Sequence, residues 1–124
     1  MNLSVSTQTL DDLGALKKEP KFRTDMSSFY PGAPNEALRL AAEGEINRLI
    51  DRLADGLPAK PKKSFVLANV KVALAAFNSA DSEERDRVAI YIERIMEITG
   101  VEESEELLNV WRYGFPIGWF KKKT

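Results

Sequence analysis

Ser64–Asn78 reads SFVLANVKVALAAFN, and its reading decides the fold. Val66, Leu67, Val70, Ala73, Leu74 and Phe77 recur at helical spacing. Ala68, Val72, Ala75 and Ala76 make much of the remaining circumference apolar as well. A helix of that kind is expected to be buried on several sides, with its neighbours packed around it. Val70-Lys71-Val72 also alternates as a strand would, but the run is too long and too alanine-rich for one. Ser64 is the expected N-cap of this central helix.

Working outward, the preceding stripe is Leu38, Ala41, Ala42, Ile46, Leu49, Ile50 and Leu53. Its helix is predicted to start at Pro34, whose fixed φ suits a first helical position, and to run to about Asp55. Gly44 sits mid-helix and is read as permitting close helix contact, and Gly56 before Leu57-Pro58 as the stop. Leu10, Leu13 and Leu16 predict a short helix near Gln8–Lys18 capped by Thr7, with residues 1–6 frayed or extended. Between the two lies a long proline-containing connection, Glu19–Ala33. Its Phe22, Met26, Phe29 and Tyr30 are read as pins onto the core, with a binding loop as the alternative.

After the central helix, Asp81 and Glu84 form a capping-box pattern ahead of a helix at Ser82–Thr99. Val88, Tyr91, Ile92, Ile95 and Met96 face its core, and Gly100 closes it. Glu102, Glu103, Glu105 and Glu106 lead one more helix ending near Arg112, where acidic groups suit the dipole. Residues 113–124 form an irregular aromatic and basic tail. The expectation is one all-α domain over residues 1–124, a compact bundle of four to five helices around residues 64–78.

Composition removes several function classes. The chain has no cysteine, so thiolate metal sites, disulfides and a cysteine nucleophile are excluded. Histidine is absent too, which removes the commonest general base and metal ligand. Eighteen basic residues balance nineteen acidic ones, which disfavours nucleic acid. No apolar run reaches membrane-spanning length and no signal peptide is evident, so the expected location is cytoplasmic. No phosphate-cradling or EF-hand motif is present, and no pair of carboxylates is singled out for catalysis.

Two features point to binding. NVWRYGFPIGWF, Asn109–Phe120, holds five of the eleven aromatics, and rigid aromatics dominate binding hot spots. It reads as the piece that covers the open side of the bundle, with Trp111 in the core and Trp119 and Phe120 as recognition candidates. Asp81–Glu106 carries ten acidic residues against three arginines, a solvated face with pairs such as Glu83–Arg87 or a docking face for a basic partner.

LLNVWRYGF, Leu107–Phe115, resembles the signature end of a small bacterial helical domain family of unknown function. The resemblance covers this stretch and the overall helical pattern, and it implies no activity. In build the chain is similar to bacterial immunity proteins, which neutralise a toxin by occluding its active site; likeness of architecture says little about function.

The expected function is a non-catalytic protein-binding module, of inhibitor or immunity type, acting by surface complementarity. Arg112, Tyr113, Trp119 and Phe120 are the expected anchors, and Glu102, Glu103 and Glu106 the steering charges. The partner is another protein, a toxin or other basic partner; no cofactor, metal or catalytic residue is assigned. One alternative is a small enzyme or small-molecule binder with a pocket between the bundle and the 19–33 loop. Another is a homo-oligomer that uses the aromatic segment as its own interface.

Overall fold

The computed structural model describes residues 2–104 and 107–113, the last two without their side chains. Five α-helices are described: α1 (Thr7–Lys18), α2 (Glu36–Gly56), α3 (Lys63–Ala75), α4 (Ser82–Thr99) and α5 (Leu107–Tyr113). One short 3-10 turn, Met26–Ser28, interrupts the long connection. The chain is an all-α bundle.

The helices α1 to α4 close a ring, each touching the next and α4 returning to α1, while α5 lies against α3 and α4. Each helix turns one apolar face to the centre. Leu13 and Leu16 come from α1, Ile46, Leu49, Ile50 and Leu53 from α2. Val66, Val70, Ala73 and Leu74 come from α3, and Val88, Ala89, Tyr91, Ile92, Ile95 and Met96 from α4. The residues predicted to face in on α4 all do so. On α2, Leu38 and Ala41 of the expected stripe stay exposed, and the buried stripe begins at Ile46.

The helix expected at the centre is one wall of the ring. Lys71 and the alanines at 68, 75 and 76 are exposed, and Val72 is 61% exposed. Alanine adds little apolar area to water, so an alanine-rich outer face costs little and mimics a buried one in sequence. The helix starts at Lys63, and its N-cap is Lys62, without a side-chain hydrogen bond; Ser64 lies inside. It ends at Ala75, followed by tighter turns in which Phe77 N–H donates to Leu74 O at 3.0 Å and Asn78 N–H to Ala75 O at 3.4 Å.

Other caps follow local chemistry more closely. Ser6, not Thr7, caps α1: Thr9 N–H donates to Ser6 Oγ at 3.3 Å, and Ser6 N–H to Thr9 Oγ1 at 3.2 Å. Asn35 caps α2, its Oδ1 accepting Leu38 N–H at 2.9 Å, which leaves Pro34 just outside the helix. Asp81 caps α4 as expected. Gly100 closes α4 in the left-handed region at φ 82°, and Val101 N–H returns to Met96 O at 2.8 Å. Leu3 N–H donates to Pro61 O at 2.7 Å, fastening the extended start of the chain to the α2–α3 connection.

Gly56 belongs to α2, and its role is space. A Cβ there would lie 2.2 Å from the Phe65 ring, so the missing side chain lets α3 close on α2. Gly44 meets only the flexible end of Arg48 at 3.4 Å, not a neighbouring helix, and Gly14 meets nothing within 4 Å. The three substitutions to alanine therefore differ in sign. Gly14→Ala and Gly44→Ala should each raise unfolding free energy by about 0.5–1 kcal/mol through helix propensity. Gly56→Ala should lower it by roughly 1–3 kcal/mol through overpacking. Urea unfolding monitored by circular dichroism measures all three, and Phe65→Leu should recover part of the Gly56→Ala loss.

Candidate functional site

The connection Glu19–Ala33 is pinned at both ends and open in the middle. Its first anchor is Lys21, whose side chain is fully buried. The ammonium donates to Leu16 O at 2.6 Å, Lys17 O at 3.1 Å, Glu19 O at 3.0 Å and Asn47 Oδ1 at 2.9 Å. It thus satisfies the free carbonyls at the C-terminus of α1, where a cation also suits the dipole. Burial pushes its pKa below the ordinary lysine value. Burial also works to raise Glu43, but the N–H of Lys21 at 2.8 Å and Arg39 Nη1 at 3.0 Å hold that carboxyl below its usual value.

The second anchor is Phe22, buried against Phe77 and Tyr91, with ring centroids 6.0 and 5.0 Å away. Its φ is +61°, a conformation costing an L-residue about 1–2 kcal/mol. Burying the ring gains roughly 1.5–3 kcal/mol, so burial offsets the strain. The Tyr91 hydroxyl accepts Phe22 N–H at 2.9 Å.

Beyond Phe22 the chain forms a small hairpin. Asp25 and Tyr30 exchange backbone bonds of 2.8 and 2.9 Å around Met26–Phe29. The Asp25 carboxylate accepts Ser27 Oγ at 2.6 Å, Ser28 Oγ at 3.0 Å and Arg87 Nη1 at 3.1 Å. These groups, the two serines foremost, pull its pKa to about 2. Arg87 also lies over the Tyr30 and Tyr91 rings, at 4.8 and 5.3 Å from their centroids. The expected helical pair Glu83–Arg87 thus gives way to a contact across the fold. Tyr30 is buried, and its hydroxyl donates to Glu84 at 3.0 Å. Burial, then this bond, raises the tyrosine's pKa; burial raises that of Glu84 as well.

The four apolar loop residues therefore divide. Phe22 and Tyr30 are the expected pins, whereas Met26 is 72% and Phe29 87% exposed. Phe29 has φ +56°, and here no burial offsets the strain; the backbone bridge and the Asp25 bonds hold it. Phe29 and Tyr30 line a cleft against α4 with Ser28, Pro31, Glu83, Asp86, Arg87 and Ile90. The cleft holds about 110 Å³, well under the ~300–1,000 Å³ of small-molecule pockets. A larger concavity of about 430 Å³ opens between the loop and α2, beside Arg23, Thr24, Asn35, Glu36 and Arg39. Its one carboxylate, Glu36, is bonded to Arg39.

Of the expected site residues, Glu102 and Glu103 are exposed after α4, with Glu103 3.7 Å from Lys63. Glu106, Trp119 and Phe120 lie outside the described residues, as do the side chains of Arg112 and Tyr113. Trp111 packs against the core; its indole N–H donates to Leu74 O at 3.1 Å, with Arg85 4.8 Å from the ring centroid. Among the described residues no group of three or more Asp or Glu side chains is placed to hold a metal ion, and no helix is long and apolar enough to cross a membrane.

A family model described as a domain of unknown function, DUF4844, matches residues 4–116. The chain belongs to this DUF4844 family. That agrees with the resemblance to a family of unknown function. No curated protein matches the sequence. The chain is similar to a DUF3571 family protein from Acinetobacter baumannii AYE, known from its crystal structure. The two share 26% identity over 93% of this chain and 94% of that one, with a TM-score of 0.78.

Two outcomes test the loop. Phe29→Gly removes an exposed ring and relieves a left-handed strain, so the melting temperature should stay level or rise. A marked fall would mean that Phe29 serves stability. The folded Asp25 carboxyl titrates below the unfolded value of about 3.9, so its stabilisation of the hairpin is complete above that value. It is lost as pH falls from about 4 towards 2. Amide spectra of Ser27 and Ser28 should show a midpoint near 2; a midpoint near 4 would contradict the bonding described.

Proposed function

We propose that this chain is a non-catalytic protein-binding module, of the inhibitor or immunity type that acts by covering a partner's surface. One observation carries the reading: Phe29 is 87% exposed, and its strained backbone is held by a hairpin that the bundle fastens from beneath. A large aromatic kept in water at a conformational cost contributes little to folding, and rigid aromatics are the usual anchors of interfaces. The carboxylates of Glu19, Asp25, Glu43 and Glu84 all have internal partners, so they serve the scaffold. The acidic segment after α4, Glu102, Glu103 and Glu106, supplies steering for a basic partner, and Arg112, Tyr113, Trp119 and Phe120 offer a second group of anchors.

Affinity capture with quantitative mass spectrometry tests both anchor groups. A partner retained by the wild-type chain should be lost, by about tenfold or more, with Met26→Ala/Phe29→Ala, as expected for two central contacts. Circular dichroism and melting should be unchanged. Undiminished capture by that variant, with loss by Trp119→Ala/Phe120→Ala, would move the contact to the tail. Capture unaffected by both would sink the proposal.

A further inference from the structure

The first turns of α2 are apolar on the side that faces away from the bundle. Ala37, Leu38, Leu40 and Ala41 are all exposed, and each leucine keeps 52% of its surface in water. At about 100° per residue, these four and Gly44 fill one sector of about 160°, opposite the buried row Ile46, Leu49, Ile50 and Leu53. Residues three and four apart on a helix are neighbours, so this face is continuous by geometry. Farther along, the same outer side carries Arg48, Asp51, Arg52 and Asp55. Single exposed leucines are ordinary, but two on one charge-free face make a patch.

Charges flank this face in a pattern that matches itself under a two-fold axis. Glu36 precedes it and Arg48 follows it, about 18 Å apart along the helix. Their side chains are 60% and 58% exposed. Each has a bond within its own chain, Glu36 to Arg39 and Arg48 to Glu45. A carboxylate accepts more than one donor and a guanidinium carries five N–H groups, so each has capacity for a second partner. An antiparallel pairing of two α2 helices centred at Ala42 brings each Glu36 opposite the other copy's Arg48. The same register sets Leu40 opposite Gly44. There only the movable head of Arg48 lies over the backbone, 3.4 Å from the place a Cβ would take.

We infer that two copies of this chain pair through the first turns of α2, antiparallel, in an isologous dimer. Leu38 and Leu40 of each copy cover Ala37, Ala41 and Gly44 of the other. The Glu36–Arg48 pairs close the two ends of the contact and set its register. A second copy fits this face because its two flanking charges are opposite in sign and equally far from its centre. The face is small beside the ~1,200–2,000 Å² of stable complexes, so the dimer is weak and forms at micromolar concentrations or above. The hairpin that carries Met26 and Phe29 takes no part in it, so the inference goes beyond the binding-module reading and does not depend on it.

Sedimentation of the full chain from about 10 µM to about 1 mM should show a monomer–dimer equilibrium. Leu38→Ala/Leu40→Ala should weaken the dimer about tenfold or more, while circular dichroism and the melting temperature of the dilute monomer stay unchanged. Glu36→Lys should weaken it about threefold, and Glu36→Lys/Arg48→Glu, which restores opposite charges across the contact, should recover most of that loss. Because the chain has no cysteine, single cysteine variants read the register. The two Ala41→Cys thiols come within about 3 Å in axial level and should form an intermolecular disulfide in a glutathione buffer. The two Ala37→Cys thiols stand about 15 Å apart in level and should not. A chain that stays monomeric throughout would overturn the inference. So would a dimer that survives the leucine variant, or one that Ala37→Cys cross-links as readily as Ala41→Cys. A dimer that Trp119→Ala/Phe120→Ala dissociates and the leucine variant does not would move the contact to the chain's end and overturn it too.

Discussion

The hydroxyl of Tyr91 sits where the core meets the long connection, and there it accepts the N–H of Phe22 at 2.9 Å. A backbone donor carried into an apolar interior needs a partner, because burying it unpaired costs about 1–3 kcal/mol. Once Phe22 is seated, the chain on either side is constrained. Lys21 turns beneath α1 to satisfy its last carbonyls, and the hairpin at Asp25–Tyr30 rises against α4. Arg87, one turn before Tyr91, then reaches Asp25 and covers both tyrosine rings.

This arrangement separates support from display. Hydrogen-bonding groups beneath the loop are used internally, and no buried side-chain polar atom among the described residues lacks a partner. The loop also shows two large apolar side chains to water, Met26 and Phe29, beside the exposed Arg23, Thr24, Ser27 and Ser28. A helix that buries one side leaves the other to solvent, and on α4 that other side is acidic around one isoleucine.

Much of the bundle was legible because helix periodicity is a local property. The inward residues of α4, its Asp81 cap and its Gly100 stop stand as the pattern predicts. Boundaries shifted where neighbours competed for one role: Ser6 for Thr7, Asn35 for Pro34, Lys62 for Ser64. The candidate surface was less legible. Ile90 falls off the buried stripe of α4, and Asp25 followed by Ser27 and Ser28 is a side-chain turn pattern, so both left a signal. Nothing local marked Lys21, since its four acceptors come from α1, its own loop and α2.

The sequence by itself determined that the chain folds as a bundle of four to five helices and which face of most of them is apolar, because spacing and caps act within a few residues. It also determined that thiol and imidazole chemistry are absent, by composition. Only the tertiary structure decided that α3 is a wall of the ring and not its hub. Only it decided that Phe22 and Tyr30 go in while Met26 and Phe29 stay out. Burial of one aromatic rather than another depends on which partners arrive from distant positions, here Tyr91, Phe77 and Glu84. No pattern along the chain contains that information.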